Sequence, residues 1–235
     1  MYNWNWNIIW QYKEVFLEGA LVTIGLALLT ALCGTFLGAF IALVKGSSNP
    51  VFSWIAKRYI ELFRAIPTIV LLIWIYYVVP DLTGWRMHPF TAALIALSIH
   101  LSAFICETIR AAVESIPHSQ FESGLAVGMS RAQTMRYIIL PQAVRNMIPN
   151  VLGLYITEIK NSSLASVIAV NEVLHRTNIL ISETYRPLEL YTTVAGVYVI
   201  IILPLSFLSR RAEQHFSRGT RSASLLSYDA GYQYS

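Results

Sequence analysis

The chain alternates between long apolar stretches and short polar segments. Five apolar stretches approach the length that a helix needs to cross a bilayer, which is about 20 residues for a hydrocarbon core about 30 Å thick. Each stretch is continuous, whereas the strands of a membrane barrel alternate between apolar and polar residues. We therefore predict an all-α integral membrane protein with five transmembrane helices, at residues 19–44, 59–79, 89–106, 148–170 and 190–209.

The composition agrees with a membrane protein and excludes two other classes. Of the 235 residues, 55% are hydrophobic and 13% are charged, and the mean hydropathy is +0.53. A soluble domain has about 25% charged residues, so this chain lacks the charge to cover a surface that faces water. Disorder requires low hydrophobicity, so a disordered chain is excluded as well.

The basic residues predict how the helices are oriented. Lys and Arg accumulate in short loops on the cytoplasmic side of a membrane. The predicted spans put ten of them on one side and four on the other, so the N-terminus is outside and the C-terminus inside. This bias explains the net charge of +4 without a nucleic-acid partner. The ten are Lys45, Lys57, Arg58, Arg131, Arg136, Arg145, Arg210, Arg211, Arg218 and Arg221, and the four are Lys13, Arg86, Arg176 and Arg186.

The longest connection, residues 114–146, carries a helix–turn–helix pattern on the predicted cytoplasmic side. Residues 120–128 and 131–139 have the pattern of helices. Gly128 can adopt the left-handed conformation that ends a helix, Ser130 can cap the next helix, and we expect Pro141 to break it. Such a helical knob can enter a groove on a soluble partner. It can equally be an amphipathic helix lying on the bilayer, and the pattern leaves both readings open.

Charged residues inside the fourth predicted span are candidates for a functional site, because intramembrane charge is costly and usually functional. The polar residues there are Glu158, Lys160, Asn161, Ser162 and Ser163. Either each charge pairs with a partner on another helix, such as Glu107 or Arg110, or the polar run lines a wet cavity. In the second case Lys160 could bind the carboxylate of a zwitterionic amino acid, and Glu158 its ammonium group.

Other features of the apolar spans predict packing rather than chemistry. His100 is alone on an apolar face, which is more typical of a hydrogen-bonded packing residue than of a proton relay. Gly34 and Gly38 form a GxxxG pattern, which is typical of close helix packing. Cys33 and Cys106 lie in separate apolar runs, and no Cys/His spacing resembles a zinc site. No catalytic residue and no metal ligand is predicted.

Several motifs, in this order, make the chain resemble the permease subunits of bacterial ATP-binding-cassette importers. Within that class it resembles the polar amino-acid uptake family, over about residues 18–211. The signature loop carries Ser123 and Gly124 where the family usually has two alanines, and Asn161 stands where the family usually has aspartate. The motifs are 61–67 (ELFRAIP), 107–110 (ETIR), 115–117 (SIP), 122–128 (ESGLAVG), 128–130 (GMS), 140–143 (LPQA) and 160–165 (KNSSLA).

The resemblance implies a type I importer permease (MetI-like) fold in a bacterial inner membrane. It implies a periplasmic segment at residues 1–16, a permease domain at 17–211 and a cytoplasmic tail at 212–235, which we expect to be disordered. The residues expected to couple to the ATPase are Glu122, Ser123, Gly124, Gly128 and Arg131. The residues expected on the substrate pathway are Glu158, Lys160, Asn161, Ser163 and Glu107.

The resemblance also implies partners. Two ATPase subunits, a second permease that is identical or homologous, and a periplasmic amino-acid-binding protein are expected. ATP and Mg would bind the ATPase, because this chain has no GxxxxGK[ST] phosphate loop. A stand-alone channel or secondary transporter is the alternative, although no internal repeat of the kind many secondary transporters carry is visible. A membrane enzyme would need catalytic residues at one depth, and the sequence offers none.

Overall fold

A computed structural model describes the backbone of residues 2–231 and the side chains of residues 2–214. The regular structure of the described chain is helical, as predicted. Two π-helical turns, Trp74–Val78 and Met135–Ile139, and one 3₁₀ helix, Ser162–Ile168, continue the α-helices. The α-helices are α1 (Asn7–Gln11), α2 (Lys13–Lys45), α3 (Pro50–Ala65), α4 (Thr68–Ile73), α5 (Val79–Thr83), α6 (Pro89–Glu114), α7 (His118–Ala126), α8 (Arg131–Thr134), α9 (Leu140–Asn161), α10 (Val173–Thr184) and α11 (Pro187–Gly231).

The chain forms two compact units. The first consists of Met1–Glu107 and Leu154–Pro204, and the second of Thr108–Gly153 and Leu205–Ser235. The larger apolar cores lie in the first unit, where α2, α4, α6 and the 3₁₀ helix bury residues such as Leu26, Leu72 and Leu97 against one another.

Three helices within the described residues are long and apolar enough to cross a membrane: Lys13–Lys45, Pro89–Glu114 and the part of α11 at Pro187–Gln214. A fourth candidate exists if Pro50–Ala65 and Thr68–Thr83 together count as one broken span. Large apolar side chains on α2 and α11 remain exposed, which suits helices that face lipid. The apolar character of the predicted protein is therefore confirmed, with three to four candidate spans.

The second predicted span is broken in its middle. α3 ends at Ala65 because Ile66 precedes a proline and is held extended, with φ −79° and ψ 126°. The helix restarts after Pro67, and the parts Pro50–Ala65 and Thr68–Thr83 meet at 105°. The second predicted span is therefore sharply bent at Pro67.

The fourth predicted span, residues 148–170, is only partly an α-helix. α9 ends at Asn161, and the chain continues as the 3₁₀ helix Ser162–Ile168, which closes at Ala169 with a left-handed φ of 59°. Two serine hydroxyls at the junction donate hydrogen bonds to backbone carbonyls one turn earlier. Local bonds of this kind compete with the regular helical pattern, so the predicted helix at 148–170 is α-helical only as far as Asn161.

The expectation that Pro141 breaks the helix is also wrong, because a π-turn precedes it. The N–H of Leu140 bonds to the carbonyl of Met135, five residues earlier. The hydrogen-bond ladder is thus already shifted where proline lacks its donor. The same arrangement recurs at Pro80, where the N–H of the preceding Val79 bonds to the carbonyl of Trp74.

Two glycines of α2 allow it to approach α6 closely, as the GxxxG pattern predicted. A methyl group at Gly34 would lie 2.9 Å from the side chain of Leu101, and one at Gly38 would lie 2.7 Å from the carbonyl oxygen of Ser102. Cys106, on the same side of α6, is fully buried, whereas Cys33 on α2 is exposed.

The C-terminal helix α11 continues to Gly231. The predicted disordered tail, 212–235, is therefore helical in its backbone as far as that residue. Residues 212–235 contain no proline, which would interrupt helical hydrogen bonding. Residues 232–235 and the side chains after Gln214 lie outside the described part of the chain.

Candidate solute site and coupling loop

The polar run of the fourth predicted span lies where α9 passes into the 3₁₀ helix. Glu158 is almost fully buried, with 3% of its surface exposed, and Asn161 donates a hydrogen bond of 3.2 Å to its Oε1. Ser163 donates to the carbonyl oxygen of Lys160 at 2.7 Å. The Lys160 side chain is exposed and makes no ion pair within the described part of the chain. The side chains of Glu158 and Lys160 therefore point in different directions, the first into the protein and the second out of it.

Glu158 faces a histidine from another helix. His100 Nδ1 on α6 lies 3.7 Å from Glu158 Oε1, which is within ion-pair distance but too long for a hydrogen bond. The other ring nitrogen, Nε2, lies 3.1 Å from Thr68 Oγ1 on α4. His100 is thus hydrogen-bonded, as predicted, but its acidic neighbour was not foreseen.

Two atoms of this cluster lack partners. Among the described residues, Glu158 Oε2 and His100 Nδ1 are buried polar atoms with no hydrogen-bond partner. Buried polar groups are nearly always satisfied in folded proteins, and an unsatisfied one is costly. The arrangement therefore offers a hydrogen-bonding site to a polar group that enters from outside the chain.

Glu107 is placed elsewhere on α6, two helical turns beyond His100. Its carboxylate lies 3.7 Å from Lys45 Nζ and 3.8 Å from Arg64 Nη1. The Arg64 guanidinium group also lies over the ring of Phe104, 5.6 Å from its centroid. The three charged side chains join the ends of α2, α3 and α6, so the contacts of Glu107 are those of a helix-linking ion pair.

Sequence reasoning identified Glu158, Asn161 and His100 separately but missed that His100 faces Glu158 and bonds to Thr68. Thr68 and His100 are 32 residues apart in sequence, and both come from apolar segments. The signal that could have found them was the single histidine in an otherwise apolar span, because a histidine there needs a polar neighbour on a facing helix.

In the second unit, the loop between α6 and α9 has the predicted helix–turn–helix form, with α7 and α8 as its helices. Glu122 is exposed, and its Oε1 lies 3.1 Å from Nδ1 of His118. Ser123 donates to the carbonyl of Ser119 at 2.8 Å. Gly124 is buried against α8, since a methyl group there would lie 2.6 Å from Thr134 Cγ2. Glu122 therefore projects outward while Gly124 holds the two helices together.

The turn of this loop has the conformation that its sequence predicted. Gly128 has φ +83° with nothing within 4 Å of an added methyl group, so only its backbone angle requires glycine. Ser130 accepts from the N–H of Gln133 at 3.3 Å, and Gln133 accepts from the N–H of Ser130 at 2.8 Å, which is a capping box. Arg131 follows as the exposed first residue of α8. The predictions for Gly128 and Ser130 are confirmed.

A cleft of about 450 Å³ lies at the base of α7, lined by residues 113–118, Phe121, Met135 and Ile139. It is formed entirely by the second unit. The described residues contain no group of three or more His, Cys, Asp or Glu side chains that could hold a metal ion.

Comparison with known proteins decides the family. The family model for the inner membrane component of binding-protein-dependent transport systems matches residues 10–222. The chain belongs to this family. This permease is 38% identical to the glutamine transport system permease protein GlnP of Escherichia coli strain K12, over 89% of this chain and 96% of that protein. It is 32% identical to the arginine transport system permease protein ArtQ of Bacillus subtilis strain 168, over 84% of this chain and 90% of that protein.

Solved structures agree with the fold of this permease. It matches a chain of an amino acid ABC transporter crystallised with histidines at a TM-score of 0.88 and 33% identity, covering 91% of this chain and all of that one (100%). A chain of the MetNI methionine ABC transporter matches at a TM-score of 0.74 and 18% identity, covering 88% of this chain and 98% of that one. The second match supports the fold alone. The resemblance inferred from the sequence motifs and the MetI-like fold are both confirmed.

Proposed function

We propose that this permease is the transmembrane subunit of an ATP-driven importer that moves polar amino acids across a bacterial inner membrane. The observation that carries the proposal is the near full-length likeness, at 33% identity and a TM-score of 0.88, to a chain of an amino acid ABC transporter. The curated relatives named above are permeases of glutamine and arginine transport systems, which supports a polar amino acid as the solute.

The solute pathway in this proposal passes the junction of α9 and the 3₁₀ helix. Glu158, Lys160, Asn161 and Ser163 supply an anion, a cation and two neutral polar groups there. A zwitterion needs an anionic partner for its ammonium and a cationic partner for its carboxylate. Glu107 lies two turns further along α6 beside Lys45 and Arg64, and its proposed contribution is to the charge at that end of the pathway.

The energy for import is proposed to come from a separate ATPase that binds ATP and Mg. The chain itself has no phosphate-binding loop. The contact with the ATPase is assigned to the exposed face of α7 and its turn, with Glu122, Ser123 and Arg131 at the contact and Gly124 and Gly128 shaping it. Two ATPase subunits, a second permease and a periplasmic amino-acid-binding protein complete the proposed assembly.

Five membrane crossings are proposed, with the N-terminus outside and the C-terminus in the cytoplasm. Four of them are assigned to the three long apolar helices and to the bent pair Pro50–Ala65 and Thr68–Thr83, taken as one broken span. α9 with the 3₁₀ helix supplies the fifth, since its polar residues face a pathway rather than lipid in this proposal. The charge bias of ten basic residues against four supports the orientation.

The proposal is tested by reconstituting the permease in lipid vesicles with and without its ATPase and its binding protein. Uptake of labelled glutamine, arginine or cystine should require ATP, the ATPase and the binding protein together. Vesicles with an ATPase whose phosphate-loop lysine is replaced serve as the control. Uptake by the permease alone would instead identify a channel or a secondary transporter.

A further inference from the structure

The cluster around Glu158 has one property that a fixed anionic site would lack, which is a neighbour that can change its own charge. Imidazole is the side chain whose ordinary titration falls between about pH 5 and pH 8. His100 Nδ1 lies 3.7 Å from Glu158 Oε1, and the histidine side chain is 12% exposed against 4% for the glutamate. At this distance between two largely buried side chains, a change of charge on one group strongly affects the other.

Thr68 fixes the orientation of the imidazole ring. Its hydroxyl lies 3.1 Å from Nε2, and a hydroxyl can serve as donor or acceptor. The ring therefore keeps this bond whether His100 is neutral or protonated, and Nδ1 remains directed at Glu158 in both states. Phe104, 4.9 Å from the imidazole by ring centroids, packs on the ring from the next turn of α6.

The groups that face His100 in the described structure are Glu158 from α9, Thr68 from α4 and Phe104 from its own helix. Phe104 also lies beneath Arg64, which shares the carboxylate of Glu107 with Lys45 at 3.8 and 3.7 Å, away from the imidazole ring. Lys160, the other charge near Glu158 on α9, is exposed two residues further on. The carboxylate of Glu158 is therefore the group on which the charge of His100 acts.

We propose that Glu158 and His100 form a proton-sensitive binding site for the ammonium group of the transported solute, an inference that rests on the function proposed above. With His100 neutral, Oε2 of Glu158 is an unpartnered acceptor that binds the ammonium group. With His100 protonated, the imidazolium neutralises the carboxylate and repels a second cation. His100 acts here as a positioning and gating residue, and uptake falls as the pH is lowered.

The test is the pH profile of ATP-dependent uptake in vesicles that contain the complete importer. The variants are His100→Asn and His100→Gln, whose amides can still bond Thr68 but do not titrate. His175→Asn on α10 is the matched control, since it removes an imidazole elsewhere. Glutamine, arginine and cystine are tried in that order with the wild-type complex. The first one that is transported is used, in labelled form, for all variants. Each uptake rate is divided by the ATPase rate of the same vesicles, so that effects of pH on the partner proteins cancel.

The wild type and His175→Asn should lose about fivefold in normalised uptake between about pH 7.5 and about pH 5.5, whereas His100→Asn and His100→Gln should vary little. Glu158→Gln should be poorly active at both pH values. The inference is overturned if an intact His100 variant keeps the wild-type pH profile, or if Glu158→Gln transports normally. Failure of the wild-type complex to transport any of the three solutes at any pH would instead contradict the proposed function.

Discussion

Lys160 is an exposed cation beside a buried acid, and its role can be separated from stability. We expect Lys160→Met to reduce uptake at least about tenfold while the complex assembles and melts as the wild type does, because losing one ionic contact with the solute costs about 1.4 kcal/mol or more. Lys57→Met is the control, since Lys57 is exposed on α3 and its one ion pair among the described side chains is with the exposed Glu61, at 4.0 Å. Normal uptake by Lys160→Met would place Lys160 outside the pathway.

Gly128 has a backbone conformation that side chains with a branched Cβ cannot readily adopt. We expect Gly128→Val to lower transport per ATP hydrolysed, because the turn between α7 and α8 would distort while the apolar helices stay intact. Gly84→Val is the matched control. Gly84 has φ +73° and equally open surroundings, so a valine there carries the same strain outside the loop between α6 and α9. Equal loss of coupling in both variants, measured as uptake per ATP, would contradict the role of the Gly128 turn.

Gly124 is a glycine for reasons of space. A methyl group there would lie 2.6 Å from Cγ2 and 2.7 Å from Oγ1 of Thr134, a residue that is buried and whose hydroxyl donates to the carbonyl of Ser130 at 3.0 Å. We expect Gly124→Ala to destabilise the loop by about 1–3 kcal/mol. The added change Thr134→Ala should restore part of the loss. Gly25→Ala, with no atom within 4 Å, should melt like the wild type.

Local conformations at the scale of one residue were predictable, and long-range partners were not. The left-handed glycine at position 128 and the capping box at Ser130 follow from residues that are neighbours in sequence. The contact between His100 and Glu158 depends on how α6 and α9 pack, which no local pattern specifies. The unpartnered carboxylate oxygen could therefore be found only in the folded chain.

At the scale of an element, α10 begins at a buried glutamate that also binds another helix. Glu172 is fully buried. It accepts hydrogen bonds from the N–H groups of Leu174 at 2.9 Å and His175 at 2.7 Å, and from the hydroxyl of Tyr198 on α11 at 3.0 Å. We expect Glu172→Ala to destabilise the protein by about 2–4 kcal/mol, because it removes the helix cap and leaves these donors unsatisfied.

The same residue predicts a pH dependence of stability. Burial raises the pKa of the Glu172 carboxyl above its ordinary value, while the backbone N–H groups and Tyr198 oppose the shift. The folded state then binds the proton more tightly than the unfolded chain. The resulting contribution to stability is complete below the unfolded pKa and is lost as the pH rises through the folded one. Glutamine mimics the protonated carboxyl, so the Tm of the wild type should fall relative to that of Glu172→Gln as the pH rises from about 4 to 7; a constant difference would contradict this.

The sequence predicted which segments are helical better than it predicted where they change character. The break at Pro67 follows from a local rule, because the residue before a proline is driven out of the helical region. The continuation past Pro141 was not, because a π-turn has no sequence signature as strong as proline itself. The end of α9 at Asn161 depends on serine hydroxyls that can bond either to solvent or to backbone carbonyls. Which bond forms is determined by packing.

At the scale of the whole molecule, the charge bias predicts the orientation of every helix at once. A cytoplasmic reporter enzyme fused after residue 217 should be active, and one fused within residues 81–87 should be inactive. A reporter that folds only in the periplasm should give the reverse pattern. An active cytoplasmic reporter within residues 81–87 would contradict both the orientation and the count of five crossings.

The membrane class of the molecule followed from composition, because a chain with 13% charged residues has no other stable environment. The family could be inferred from short motifs, some of which, such as the Gly128 turn, have a defined local conformation in the structure. Hydropathy identifies three to four candidate spans among the described residues, because the segment that carries Glu158 and Lys160 does not satisfy the apolar criterion. The polar residues proposed to contact the solute are the ones that lower the hydropathy of that segment.

The different exposure of the two cysteines of the chain can be used to measure how often its apolar helices separate. Cys106 is completely buried between α2, α3 and α6, whereas Cys33 is exposed on α2. A thiol reagent that enters the membrane should modify Cys33 quickly in the folded protein and reach Cys106 only when these helices separate. The delay between the first and second modification, followed by mass spectrometry, measures how often α2, α3 and α6 separate around Cys106. Every variant described above can thus be checked for integrity without a label being introduced.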